Sequence, residues 1–208
     1  MAYRPTEKTE ARKAELRQRI VDAAMAQVAG GGFGAVTMAV VAEQAGIATG
    51  AVYKHFDSKA ELCAEIFRRA TEKEVAVVRE MATGAGTPSQ RLLKAIEAFA
   101  ARAIRGRRLA YALIAEPVDA LVDAERLRYR HEYAEVFRQL VEDGIRSGDF
   151  PAQLASVSAA AVVGVISEAL IGPLTWQNGE EPAIEKTALI RAIQAFCLRA
   201  VTGEDPGL

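Results

Sequence analysis

Residues 37 to 56, Thr-Met-Ala-Val-Val-Ala-Glu-Gln-Ala-Gly-Ile-Ala-Thr-Gly-Ala-Val-Tyr-Lys-His-Phe, constrain the chain more than any other stretch. They read as two short helices hinged at Gly46. Thr37 is a suitable N-cap for the first, Val40, Val41 and Ala45 form its apolar stripe, and Gly46 can take the left-handed conformation that ends it. After a turn of two or three residues, a second helix over 48–54 presents Thr49, Tyr53, Lys54 and His55, while Val52 and Phe56 point back to a core. Two short helices joined by a tight glycine turn make a helix-turn-helix, whose second helix is narrow enough to enter the major groove of DNA.

The match extends beyond this unit. Arg19-Ile20-x-x-Ala23-Ala24, Gly32-Phe33, Thr37, Val41-Ala42-x-x-Ala45-Gly46, Gly50-x-Val52-Tyr53-x-His55-Phe56 and Ser58-Lys59-x-x-Leu62 stand at fixed spacing. From Arg19 to Phe67 the chain resembles the DNA-binding domain of TetR-family transcriptional regulators. It departs at Ala48, where the family usually carries a serine before the recognition helix, and at Val28, where a bulky aromatic is usual. The resemblance implies an all-α fold of about nine helices. Residues 1–57 would form a three-helix DNA-binding domain, and 58–208 a helical domain for effector binding and dimerisation.

The resemblance also implies that Tyr53, His55, Lys59 and the amide end of the first short helix near Thr37 and Met38 hold phosphates. By their chemistry, Lys54 suits guanine O6 or N7 and Thr49 suits a thymine methyl or a polar base edge. Gly50 and Ala51 let the helix approach closely. Two plainer readings stay open: Tyr53 as a core aromatic, and Lys59 as an idle surface lysine at the start of its helix.

Composition bounds the alternatives. The 208 residues are half apolar, enough for a sizeable core, and the net charge of −1 argues against a protein that coats nucleic acid non-specifically. The first sixty residues hold eight Lys/Arg against six Asp/Glu, so the DNA-facing charge is local and modest. The two cysteines, Cys63 and Cys197, fall at apolar positions, and no signal peptide precedes Arg4, a pattern that fits a reducing cytoplasm. Residues 150–167 carry no charge, but half of them are Ala, Ser or Gly, too weakly hydrophobic for a membrane span.

The rest of the chain reads as helices. One covers 10–30 with Leu16, Ile20, Ala24 and Val28 on one face, stopped by Gly30-Gly31-Gly32. The capping box Ser58-Lys59-Ala60-Glu61 opens a long fourth helix to about residue 82, and Thr87-Pro88-Ser89-Gln90 opens a fifth. Arg102, Arg105, Arg107 and Arg108 cluster at the fifth helix's end, placed to touch DNA, to hold an acidic ligand, or to complement the negative end of a helix. A sixth helix spans 107–115. A seventh spans 119–146, with Leu127, Tyr133, Phe137, Leu140 and Val141 buried and Gly144 at its fraying end. Pro151 opens an Ala-rich eighth helix to 172, and a ninth follows Glu181-Pro182 with Leu189, Ile193, Phe196, Cys197 and Ala200 on one stripe. The small-residue surface of the eighth needs cover on more than one side, so the eighth and ninth suit a four-helix bundle across a two-fold axis of a homodimer.

The resemblance also implies that a small effector occupies the space among helices four to eight, shifts the distance between the recognition helices and releases operator DNA. Phe67, Phe99, Tyr111, Tyr129, Tyr133, Phe137 and Trp176, with Arg102, His131 and Glu168 as polar anchors, are the material here for such a pocket; each serves packing equally well. Nothing in the sequence asks for a metal or a cofactor. With only His55 and His131, no Gly-x-Ser-x-Gly elbow and no phosphate loop, the sequence carries no catalytic constellation. The rival reading is a dimeric ligand-binding or adaptor module without DNA function.

Overall fold

The computed structural model describes residues 7–175 and 184–203. Among these every regular element is helical. In order they are α1 (Glu7–Gly31), a 3-10 turn (Phe33–Ala35), α2 (Met38–Gln44), α3 (Thr49–Val52), α4 (Lys59–Thr83), α5 (Pro88–Arg105), α6 (Arg107–Ile114), α7 (Ala120–Ser147), α8 (Ala155–Thr175) and α9 (Lys186–Thr202). The all-α architecture expected from the sequence is the one observed.

Ile20, Val21, Ala24 and Val28 of α1 are buried together with Phe33, Val36, Val41, Ala45, Val52 and Phe56. The Thr37 hydroxyl accepts from the Val40 amide at 3.3 Å and starts α2. Val40 itself is 39% exposed rather than part of the apolar stripe, and Met38 takes the buried place. The second short helix is also shorter than the pattern suggests. Ala48 supplies no side-chain cap, α3 covers only Thr49–Val52, and Tyr53 closes it, so Lys54 and His55 stand in the turn that follows.

The long α4 is capped at its start. Ser58 accepts from the Glu61 amide at 3.1 Å, and the Glu61 carboxylate reaches past the usual position to accept from Asp57 N–H at 2.6 Å. At α5 the capping box is complete, Thr87 Oγ1 accepting from Gln90 N–H and Gln90 Oε1 from Thr87 N–H, with Pro88 where its missing donor costs nothing. Where α1 crosses α4, the buried carboxylate of Glu65 accepts from Arg17 at 2.9 Å and Arg69 at 2.8 Å and pairs with Arg68 at 2.9 Å. The Arg17 guanidinium also lies 4.6 Å over the Phe56 ring. One carboxylate thus ties the helix-turn-helix core to the long helix.

Three sequence expectations for the second half shift. Leu127 is 61% exposed, because the buried face of α7 runs through Val122, Tyr129, Tyr133, Val136, Phe137, Leu140 and Val141, and two residues before Tyr129 is the opposite side of a helix. Gly144 does not fray: it is buried, α7 passes through it to the left-handed Gly148 (φ 78°), and Phe150 folds back over it with its N–H on Gly144 O at 3.0 Å. A Cβ at residue 144 would stand 2.1 Å from the Phe150 ring. Pro151 does not open α8. The helix starts at Ala155 and runs through Pro173, while Gln153 crosses to Val201 O at 2.8 Å and so pins the start of α8 to the end of α9.

In the helical half, α4 packs on α5 and α7, and α8 packs on α5, α6, α7 and α9. Leu189, Ile193 and Cys197 of α9 are buried, whereas Phe196 is 53% exposed and Ala200 is also exposed. The ninth helix begins, among the described residues, at Lys186 with Glu185 as its cap; Glu181-Pro182 lie outside them.

Candidate DNA-binding face and internal cavity

The burial of Val52 and Phe56 fixes which way α3 faces. Thr49, Gly50, Tyr53 and Lys54 are turned to solvent, with Tyr53 half exposed, so its core reading is set aside. Thr37 and Lys59 are exposed, Ala51 and His55 half-buried, and the Met38 side chain buried, which leaves only its backbone amide to an outside partner. Glu43 and Asp57 are also exposed. Burial, then Lys13 and Arg17, hold the His55 imidazole below its ordinary pKa, and its Nδ1 is shielded without a partner. A neutral His55 meets a phosphate through an N–H donor rather than through charge.

Gly50 has no internal reason to be glycine. A Cβ there would meet nothing within 4 Å, and its backbone is helical. Helical glycine costs about 1 kcal/mol relative to alanine. Gly50→Ala is therefore expected to stabilise the fold by roughly 0.5–1 kcal/mol in thermal unfolding. If α3 enters a groove, the same methyl weakens operator binding in a titration; unchanged or tighter binding would show that nothing approaches this face closely.

Behind the helix-turn-helix, α4 to α8 line a partly open cavity of about 130 Å³. Of the residues expected in a pocket, Phe67, Phe99, Arg102, Tyr129 and Tyr133 line it. Phe137 is sealed in the core, Tyr111 is half-buried away from the lining, His131 and Glu168 are exposed, and Trp176 lies outside the described residues. Glu168 escapes the cost of a buried carboxylate by facing solvent. Aromatic pairs build the walls: Phe67 and Tyr129 have ring centroids 6.1 Å apart, Phe99 and Tyr133 5.0 Å. Burial, then a hydrogen bond to Glu72, pushes the Tyr129 phenol up to about 12, and burial raises Tyr133 as well.

Sequence reasoning missed Thr71, Glu74, Arg126 and Arg130 in the lining. The signal was present as spacing: 67, 71, 74 and 78 share one face of α4, and 126, 129, 130 and 133 one face of α7. Arg102 is committed to Glu74, with Nη2 to Oε1 at 2.8 Å. Arg126 holds the end of α6, donating to the carbonyls of Leu113 at 3.0 Å and Glu116 at 2.7 Å.

The α6–α7 junction grips the helix-turn-helix. The Glu116 carboxylate accepts from Phe33 N–H and Gly34 N–H, each at 3.0 Å, and Arg108 donates to Gly31 O at 2.9 Å. Gly32 has φ 80°, a conformation that favours glycine, and a Cβ there would stand 2.4 Å from the Glu116 carboxylate and push it off its two amides. Of the three readings of the arginine cluster, Arg108 follows the helix-end one, since its carbonyl partner is the last residue of α1.

Comparison with known proteins agrees with this arrangement. A family model described as bacterial regulatory proteins, tetR family, matches residues 20–66, and one described as tetracyclin repressor-like, C-terminal domain, matches 85–170. The HTH-type transcriptional repressor KstR2 of Rhodococcus jostii (strain RHA1) is 32% identical over 142 residues, covering 66% of this chain and 69% of that protein. The KstR repressor of Mycolicibacterium smegmatis is 42% identical over 78 residues, 38% of each chain. Among solved structures, the transcriptional regulator FadR from Bacillus subtilis in complex with stearoyl-CoA superposes with TM-score 0.72 at 18% identity, over 90% of this chain and 99% of that one. With the helix-turn-helix, the helical second half and a repressor relative matched over two thirds of its length, the chain belongs to the TetR family of bacterial regulatory proteins.

Proposed function

We propose that this protein is a homodimeric repressor that binds a palindromic operator through α3 and leaves it when a small molecule enters the cavity. The observation that carries the reading is the outward display of Thr49, Gly50, Tyr53 and Lys54 over the buried Val52 and Phe56. In this assignment Lys54 and Thr49 read bases, Gly50 and Ala51 allow close approach, and Thr37, the Met38 amide, Tyr53, His55 and Lys59 hold phosphates. The labour divides between residues 1–57 for DNA and 58–208 for effector and dimer. The repressive sign follows the names of the KstR2 and KstR relatives.

The dimer seam is α8 with α9. Val157 at 60% exposure, Ala160, Ala161 and Gly164 form an unpartnered stripe on α8, and Leu154 and Phe196 extend the apolar surface. The stretch that reads as too weakly hydrophobic for a membrane span lies largely in α8, and the whole helix, at 21 residues, is nonetheless long and apolar enough to cross one, with a third of its most apolar 18 residues buried in one copy. Its packing on four other helices supports an interior helix completed by a second copy, in a soluble cytoplasmic protein. Two recognition helices related by a two-fold axis address half-sites about 34–36 Å apart.

Burial pushes both thiols, Cys63 and Cys197, up to about 11, which leaves them without thiolate at neutral pH and supports a non-catalytic protein. The cavity is smaller than the roughly 300–1,000 Å³ of common ligand sites. A ligand larger than a single ring therefore displaces a wall, and the shortest wall, α6, is followed by the Glu116 grip on Phe33 and Gly34. With α4 it forms the coupling between effector and recognition helix.

Selection of bound fragments from fragmented genomic DNA tests the reading. One enriched inverted repeat, bound by two chains, is expected. Folded dimer that enriches no sequence would favour the adaptor instead.

A further inference from the structure

Thr71 differs from three threonines at the ends of helices. Thr83 and Thr202 donate to the carbonyl four residues back, Arg79 O and Leu198 O, each at 2.8 Å, and Thr175 donates to Gly172 O at 2.7 Å. Such back-bonding is the default satisfaction of a hydroxyl inside a helix. Thr71 sits in the middle of α4 and lines the cavity, 4% exposed, and its Oγ1 is shielded from solvent with no hydrogen-bond partner. A buried hydroxyl left unpaired is costly, so its persistence asks for a partner that arrives from elsewhere.

The surroundings define that partner. From Phe67 to Val78 the lining face of α4 is roughly 16 Å long, and Thr71 stands on it between Phe67 and Glu74. The nearest charged lining residue on α4, Glu74, is occupied by Arg102. Leu109, Leu113, Phe99 and Val163 supply apolar walls, Arg126 is occupied by the carbonyls of Leu113 and Glu116, and Arg130 and Ser167 complete the polar part of the lining. An apolar cavity of about 150 Å³ accepts a single aromatic ring, and this one, at about 130 Å³, is of that order.

We propose that Thr71 is the specificity-determining residue of this cavity, its hydroxyl reserved for an oxygen atom, hydroxyl or carbonyl, carried within an otherwise apolar ligand. The proposal rests on the reading of the cavity as the effector site. It goes beyond that reading by naming the ligand class: oxygenated, ring-sized or larger hydrophobic molecules, selected against hydrocarbons of the same shape. The mechanism is the asymmetry of hydrogen-bond satisfaction. An oxygenated ligand pairs the orphan hydroxyl, and a hydrocarbon leaves it buried and unpaired.

The test uses the full-length protein and two probes of one shape, p-cresol and p-xylene, titrated by calorimetry. The wild type is expected to prefer p-cresol, and the ratio of the two affinities is expected to fall roughly five- to tenfold in Thr71→Val. Thr71→Ser, which keeps the hydroxyl, retains the preference, and Thr71→Ala gives the same readout as the valine if the valine variant does not fold. Apo Thr71→Val should melt no lower than wild type, because its lost hydroxyl had no partner; a fall of several degrees would show a bond already made and overturn the proposal. An unchanged ratio would overturn it too, leaving the cavity reading intact. Leu113→Trp, which fills the cavity from the half-buried α6, is expected to abolish binding of both probes. Binding that survives in that variant, or a wild type that takes neither probe, would overturn the cavity reading together with this proposal.

Discussion

Replacing Tyr53 and Lys54 together by alanine is expected to weaken operator binding at least a hundredfold while leaving the melting temperature unchanged within a degree or two. The two halves of that expectation come from the same geometry. Tyr53 is half exposed at the close of α3 and Lys54 is exposed beyond it, whereas the core under α3 is held by Val52 and Phe56, which the variant keeps. Surface substitutions of this kind move stability by about 0.5 kcal/mol or less. On DNA, one direct base contact is worth roughly 1–3 kcal/mol, and a two-fold dimer makes each contact twice. Even the lower ends, about 1 kcal/mol for each Lys54 base contact and about 1.5 kcal/mol for each Tyr53 hydrogen bond to a phosphate, exceed a hundredfold over the two half-sites.

The single variants separate the roles. If Lys54 reads a guanine, Lys54→Ala relaxes preference at one position of each half-site; if it holds a phosphate, it weakens all sequences alike and lowers the slope of log K against log salt by about 1 per contact. Filter binding at several salt concentrations resolves the two. A double variant that binds the operator within threefold of wild type would remove α3 from the recognition role.

How much of this was legible in the sequence varies with the range of the interactions that fix it. Caps and glycine stops are local, so Thr37, Ser58, the Thr87–Gln90 box and Gly46 were readable from a few neighbours, and so was the helical order of the chain. The face of each helix was less secure. Leu127 and Phe196 look like core by composition, but long-range packing turned them outward, and only a strict count of period around Tyr129 separates the first from its neighbours. Gly144 read as a fraying signal, because nothing in the sequence announces that Phe150 will return onto it.

The candidate sites follow the same division. The solvent-facing residues of α3 were legible because Val52 and Phe56 fix its rotation, while Val40 and Met38 exchanged places because α2 is too short for its period to be read. In the cavity, aromatic residues drew attention by size. Thr71 and Arg126 did not, since a hydroxyl that fails to back-bond and a guanidinium that caps another helix are tertiary facts. Glu116 is the sharpest case. In the chain it is the residue that ends a helix before Pro117; in the fold its carboxylate spans to amides at Phe33 and Gly34, 83 and 82 residues away.

Glu65→Gln is expected to lower stability by about 2–3 kcal/mol, read as a shift of several degrees in thermal unfolding. The Glu65 side chain is 8% exposed and faces Arg17, Arg68 and Arg69, so removing its charge leaves three guanidiniums crowded around a neutral amide. Breaking a fully buried pair costs about 3–5 kcal/mol. The arginines are 29–38% exposed and can turn toward water, which places the expected loss below that range. Hydrogen bonds from Arg17 and Arg69 outweigh the burial that opposes them and hold the Glu65 carboxyl near 2, against an ordinary value of 4.5. A carboxylate with a depressed folded pKa contributes stability that is full above the unfolded value and lost as pH falls toward the folded one. The gap between wild type and Glu65→Gln is therefore expected to be constant from pH 7 to about 5 and to close between 4.5 and 2. A gap that persists unchanged at pH 2.5 would assign the loss to packing or amide geometry rather than to the charge. Because Arg17 also lies over Phe56, directly behind α3, the variant should loosen the recognition unit, and operator affinity at pH 7 should fall with the melting temperature. Full affinity in a destabilised variant would show that the tie between α1 and α4 holds the fold together without positioning α3.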